Sequence, residues 1–333
     1  MRDAGLVRSP SALSLACLAT LATLVVSLFV ALLLCACAAG GGNARVTVPV
    51  REAVNDYSWD ELASLSAEIA AARNDESALA TAKRYHLTTG EGKLDGSQYK
   101  EVELASGATT RVLIAGFNHD ERPGGSKAGI TFVFADAVAL RGMNNNAGFD
   151  ETSKADDFDA VGGWNACELR GWLNDEFVNE LPADLRAHLA NVVKTSLVVP
   201  KDRKLLDGTD TLLSSVDSLI GQGTDTLWIP ALVELSGVKG NSAIAKERPE
   251  WTAPLRAEGS QYQLFADVGV SEQKPNEVLV RHFAGEGDSC GWWMRSLEEW
   301  TFSSVDFDGM VNRRGGSDQL ASLPKGVVPC FAL

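Results

Sequence analysis

Few residues in this chain are spaced for covalent chemistry, and the densest group is Gly287-Asp288-Ser289-Cys290-Gly291. Gly-x-Ser-x-Gly is the spacing of a nucleophile elbow, where a sharp turn from strand to helix lifts a serine towards a histidine base. Here the strand-like run Trp292-Trp293-Met294-Arg295-Ser296 follows instead of a helix, and no histidine lies beyond His282. A trypsin-like order fails too, because His119 sits in Phe117-Asn118-His119-Asp120 and not in an Ala-His-Cys setting. No catalytic residue is assigned, and Ser289 stands only for the alternative of an extracellular enzyme. Asp150, Glu151, Asp156, Asp157 and Asp159 crowd one polar stretch and offer oxygen ligands to calcium. Their spacing is not that of a twelve-residue calcium loop, so the reading is a solvated loop with no metal, calcium being the alternative. His86, His119, His188 and His282 are too scattered for a zinc site, and no cofactor is implied.

The cysteines say more about location than about chemistry. From Ser11 to Leu34 the chain is uncharged, with Arg2 and Arg8 before it, which is the pattern of a signal sequence or a membrane span. The run ends in Leu34-Cys35-Ala36-Cys37, which resembles the lipobox of bacterial lipoproteins. Cys37 has the branched apolar residue three places before it and a small residue just before it, whereas Cys35 follows Leu34 directly. The resemblance implies a signal peptide over 1–36, a thioether lipid on Cys37 and tethering to the outer face of the membrane. An uncleaved transmembrane anchor is the alternative, and both leave the arginines inside. Residues 37–56 read as a flexible linker. Of the six cysteines, Cys167, Cys290 and Cys330 remain for an oxidising exterior. The preferred bridge is Cys290 to Cys330, each flanking a strand of one C-terminal unit, with Cys167 to Cys330 as the next choice.

A net charge of -14 over 333 residues argues against a nucleic-acid partner, which needs a basic face. The 45% hydrophobic content is enough to bury a sizeable core. Ser58 caps a helix with Asp60 and Glu61 in its first turn, and Leu62, Leu65, Ile69 and Ala72 form its apolar face. A second helix runs from Glu76 to His86, completing a helical segment over 57–96. Strands follow at Tyr99 to Leu104 and Thr110 to Ile114, turned at Ser106-Gly107, and at Ile130 to Ala135. Trp164 to Leu181 reads as one helix, capped by Asn165 with Glu168 reaching back. Pro182 starts another through Leu185, Leu189 and Val193. Residues 202–223 and 241–261 read as loops, and Thr226 to Ile229 as a strand before a helical turn at Ala231 to Leu235. Short strands then fill the C-terminal end: the Trp292 run, Trp300 to Phe302, Val305 to Phe307, a turn at Asp308-Gly309, and Gly326 to Phe331.

Four motifs in this order, Gly162 to Phe177, Leu227 to Gly237, Trp292 to Ser296 and Gly326 to Phe331, resemble a bacterial family of domains of unknown function of the DUF6273 type. Trp164, Arg170, Trp172, Leu173, Asn174, Trp292, Trp293, Arg295 and Ser296 match its pattern, while Cys167 and Val328 depart from it. The resemblance implies an α+β fold, C-type-lectin-like and distantly similar to the sulfatase-modifying formylglycine-generating domains, over 97–333. Copper chemistry of the latter kind would need a close cysteine pair near the C-terminal end, and Cys290 and Cys330 lie too far apart in sequence to match it. The matched tryptophans are expected in the core, and Arg170 and Arg295 in buried bonds to carbonyls or an acid. The function expected is a non-catalytic binding or adhesion module for a glycan, peptide or cell-wall ligand, with a spacer lacking any ligand as a further alternative. Trp300, Asp308, Asn312, Arg313 and Arg314, in the loops between C-terminal strands, are the candidate contacts. No oligomeric state is assigned.

Overall fold

Ser58 accepts a hydrogen bond from the backbone N–H of Glu61, whose carboxylate reaches back to the Ser58 N–H, and this reciprocal cap starts α1 (Trp59–Ala70). The computed structural model describes residues 47–144, 160, 162–198, 220–238, 249–272, 274–283, 287–298, 301–312 and 320–333. The leader, Cys37, the acidic stretch from Asp150 to Asp159, Trp300, Arg313 and Arg314 lie outside the described residues. Among the described residues no helix is long and apolar enough to cross a membrane.

The fold is α+β. After α1 come α2 (Asp75–Arg84), β1 (Tyr99–Glu103), β2 (Thr109–Phe117), β3 (Ile130–Phe134) and β4 (Ala139–Arg141). The middle of the chain holds α3 (Glu168–Asp175), α4 (Ala183–Arg186), β5 (Val192–Leu197), β6 (Ile220–Asp225), α5 (Leu232–Ser236), α6 (Pro249–Ala257) and α7 (Gln263–Asp267). The last part holds β7 (Arg281–His282), β8 (Ser289–Cys290), β9 (Trp292–Glu298), β10 (Thr301–Val305), β11 (Val311–Asn312), β12 (Lys325–Val327) and β13 (Cys330–Ala332). One antiparallel sheet has the order β1-β2-β3-β13, and a second has the order β11-β10-β9-β12-β4. β12 runs parallel to β9 and antiparallel to β4, and β5-β6 and β7-β8 are separate two-stranded antiparallel sheets.

The C-terminal strand is the keystone. β13 pairs with β3 along one edge, and Ala332 and Cys330 bridge to Ala190 and Trp228 on the other. Phe331 stacks on Phe132 at 5.2 Å and meets Trp59 edge-on at 6.0 Å, so α1 packs into the same core as the C-terminal end. The Ser66 hydroxyl donates to the Leu333 carbonyl and accepts from the Ile130 N–H. Gly129 is required here, because a Cβ on it would stand 1.8 Å from the Ser66 carbonyl oxygen.

The structure corrects several expectations. The helix expected over Trp164 to Leu181 is three pieces: a 3₁₀ turn at Gly163–Ala166, α3, and a 3₁₀ turn at Phe177–Glu180. Asn165 is no cap, because its side chain lies against β6, within 2.7 Å of where a Cβ on Gly221 or Gly223 would sit. Asn144, from a distant loop, accepts the Glu168 N–H instead. Val193 belongs to β5 rather than a helix, as the β-branched run Val192-Val193-Lys194-Thr195 favours. Part of the expected loop 202–223 is β6, and part of 241–261 is α6, which starts with Pro at its first position. Trp228 makes one bridge rather than a strand, and Phe307 lies in a turn. Cys167, Cys290 and Cys330 are all free, so neither expected disulfide is present. Cys290 lies in the β7-β8 hairpin with Sγ turned to Gly326, whereas Cys330 is inside the four-stranded sheet. Burial pushes the Cys167 thiol up to about 12 and the Cys330 thiol well above its ordinary range, which makes both poor nucleophiles.

Candidate functional site

The matched motif residues build a frame. Trp164 Nε1 donates to Asp225 Oδ2 at 2.8 Å, and Arg170 Nε donates to Asp225 Oδ1 at 2.6 Å. Arg170 also donates to the Asn165 and Thr224 carbonyls, which fastens α3 to β6. Asn174 spends its whole side chain: Oδ1 accepts from the Thr226 and Leu227 N–H groups, and Nδ2 donates to the Arg170 and Leu227 carbonyls. Leu173 is buried, and Trp172 is half-buried against Phe177 under the Arg141 guanidinium. Trp292 and Trp293 are fully buried and donate to the Leu279 and Arg141 carbonyls.

Arg295 leads to a cluster that joins two motif residues, itself and Glu234, to Lys194 and Asp120, which lie outside the motifs. It is 0% exposed and donates to Ser196 Oγ, the Thr195 and Glu258 carbonyls, and Glu234 Oε1 at 2.8 Å. Glu234, on α5, also accepts from Lys194 Nζ of β5 at 2.9 Å. Lys194 Nζ contacts Asp120 Oδ1, in the connection after β2, and lies 3.2 Å from the Tyr262 hydroxyl. Asp120 Oδ2 accepts from Thr131 Oγ1 at 2.6 Å, and His119, at the rim, stacks on Tyr262 with ring centres 4.1 Å apart. Two cations and two anions thus alternate in the protein interior.

Burial raises the cost of each charge, and the partners decide its state. Desolvation works to raise Asp120, but the Lys194 ammonium and His119 hold it well below the usual carboxylate range. Glu234 is likewise desolvated yet lowered by Arg295 and Lys194. Glu258 differs: desolvation dominates despite Arg295 and the Ser296 hydroxyl, and its pKa is pushed up to about 7. Ser296, in the Trp292 motif, donates to Glu258 and accepts the Leu232 N–H, tying β9 to α5. His119, Asp120 and Glu234 bring three potential metal-ligand atoms within 4.8 Å. Lys194 bonds both carboxylates, so its ammonium already fills the position a cation would take.

Of the expected contacts, Asp308 and Asn312 fall among the described residues. Asn312 lies on β11, and Asp308 is exposed in the β10-β11 turn, where its Oδ1 accepts from the Met310 N–H at 3.0 Å. Beside it Phe307 is 66% exposed, a platform that the strand expectation had hidden. Gly309 has φ 79°, and its carbonyl accepts from the Asn276 N–H at 3.2 Å, so the turn is held from below. Ser289 lies opposite His282 in the β7-β8 register, and His282 Nδ1 is bonded to the Gly287 carbonyl.

Residues 129–333 match the family described as Domain of unknown function (DUF6273), and with more than half of the chain matched the protein belongs to that family. No curated protein and no solved structure matches the chain.

Proposed function

We propose that this member of the DUF6273 family is a surface-tethered lipoprotein whose domain is a non-catalytic binding or adhesion module. The apolar run within 1–36 followed by Cys37 supports a lipid anchor on the outer membrane face, with the Ala38 to Asn43 stretch as a leash. In this reading the α+β scaffold is C-type-lectin-like, distantly similar to formylglycine-generating domains, and the ligand is a glycan, a peptide or a cell-wall component. The observation that carries the reading is the contrast between the buried, hydrogen-bonded motif residues and the β10-β11 turn. That turn presents Phe307, the most exposed large apolar side chain among the described residues, next to the Asp308 carboxylate. A ring face beside a carboxylate takes the apolar face and the hydroxyls of a sugar together, and a preformed turn lowers the ordering cost of binding. Trp300, Asn312, Arg313 and Arg314 are the further candidate contacts that the sequence offers.

The test is alanine substitution at Phe307 and Asp308 in the chain from Asn43 to Leu333. Each is expected to weaken binding to whichever glycan or wall extract the parent binds by about tenfold or more, with an unchanged circular-dichroism spectrum. Binding unchanged in both variants would remove the turn from the site.

A further inference from the structure

Lys194 and Asp120 are 3% and 2% exposed and in contact, and a second carboxylate, Glu234 Oε1, lies 2.9 Å from the same nitrogen. The surroundings are dry and aromatic, with the Trp228 ring 4.3 Å and the Tyr262 ring 5.7 Å from Nζ. Asp120 is received by donors: Thr131 Oγ1 at 2.6 Å and the Tyr262 hydroxyl at 3.3 Å from its carboxylate oxygens. The Val193 N–H donates to the Glu121 carbonyl at 2.7 Å, so the backbone next to each residue fixes their approach.

We propose that Lys194 Nζ and Asp120 Cγ become joined in an intramolecular amide bond, with Glu234 carrying the proton. The resting pair is ionic, and the reactive state is the one in which a proton has passed from Nζ to the Asp120 carboxyl, which neutralises both desolvated charges. The free amine then attacks Cγ, forming the C–N bond. Thr131 and Tyr262 hold the carboxyl oxygen on which negative charge gathers. Glu234, kept anionic by Arg295 at 2.8 Å, takes the second proton from nitrogen and delivers it to the departing hydroxyl. One ammonium and one carboxylate give one amide and one water, Glu234 is regenerated, and no oxidant or co-reactant is consumed. Fixed contact between amine and acid supplies the effective concentration that the reaction needs. What remains is the Arg295–Glu234 pair, which is charge-balanced. The bond ties β5 to the β2-β3 connection covalently in a domain whose three described cysteines are free.

The experiment is a tryptic digest of the full chain, purified from membranes, analysed by tandem mass spectrometry. The expected product is a branched species joining residues 112–127 to 187–201, uncut at Lys194 and lighter than the two peptides together by one water, about 18 Da. Loss of water alone is insufficient, because Asp95-Gly96, Asp207-Gly208 and Asp308-Gly309 can each lose one by cyclising. Glu234→Gln is expected to abolish the branched species while both linear peptides appear. A full crosslink in Glu234→Gln would overturn the role of Glu234. Wild-type protein cut normally at Lys194, with residues 112–127 unmodified, would overturn the bond itself.

Discussion

Arg295 shows how one side chain can hold a motif together without contacting a ligand. It neutralises Glu234 and binds carbonyls from β5 and from Glu258, so removing it leaves a buried carboxylate without its main partner. Arg295→Ala is expected to cost about 3–5 kcal/mol, read as a shift in the urea midpoint, whereas an exposed arginine would cost little. Glu258 carries a pH signature. Its pKa in the folded protein, about 7, lies above the ordinary 4.5, so the folded state holds the proton more tightly. The stabilisation is complete below about pH 4.5 and is lost as pH rises to about 7, on the order of 3 kcal/mol in all. Glu258→Gln should flatten the stability profile across that window and be the more stable protein at pH 8. A slope equal to wild type would contradict the assignment. At this scale the sequence was partly legible. Arg295, a charged residue inside an apolar motif, pointed to buried bonds and makes them, whereas Arg170 is a quarter exposed and only its partner Asp225 is fully buried. Glu234 within Leu227 to Gly237 and Lys194 within Val192 to Leu197 were the same signal, an isolated charge in an apolar run, and their pairing was hidden because four separate elements supply it.

Among the elements, those whose signals are local were legible and those fixed by distant partners were not. The Ser58 cap with Glu61, the β1-β2 hairpin and the Trp292 strand follow from neighbouring residues, and all stand where the sequence placed them. The Trp164 helix failed because Asn165 is drawn to the β6 glycines and Asn144 supplies the cap from another loop. α6 has Pro254 inside it and offered no helix pattern. β13 is three residues long but lies among Phe132, Phe134 and Trp59, with no exposed surface. Phe331→Ala should therefore cost about 3–5 kcal/mol in a thermal or urea melt, and amide exchange should speed up in β3 and α1 together. Exchange confined to the last residues would contradict the keystone role.

The whole molecule divides into a frame and a surface. The four motifs lie within residues 129–333, the part that matches the DUF6273 family, while β1, β2 and Asp120 of the buried charge cluster precede the match and pack onto the same α+β frame. The leader, with Cys37 following it, proposes where that domain is held, and the β10-β11 turn proposes where it meets a ligand. The fold class was visible because it depends on motif order. The exposed Phe307 was not, because an aromatic between two strand-like residues reads as core until the turn is seen. The most direct test is binding of the chain from Asn43 to Leu333 to a glycan and cell-wall array, with and without calcium. The account predicts saturable binding to at least one wall or glycan component, and a dependence on calcium would give the acidic stretch from Asp150 to Asp159 a part in it. Absence of binding in both conditions, with the domain folded, would contradict the central claim.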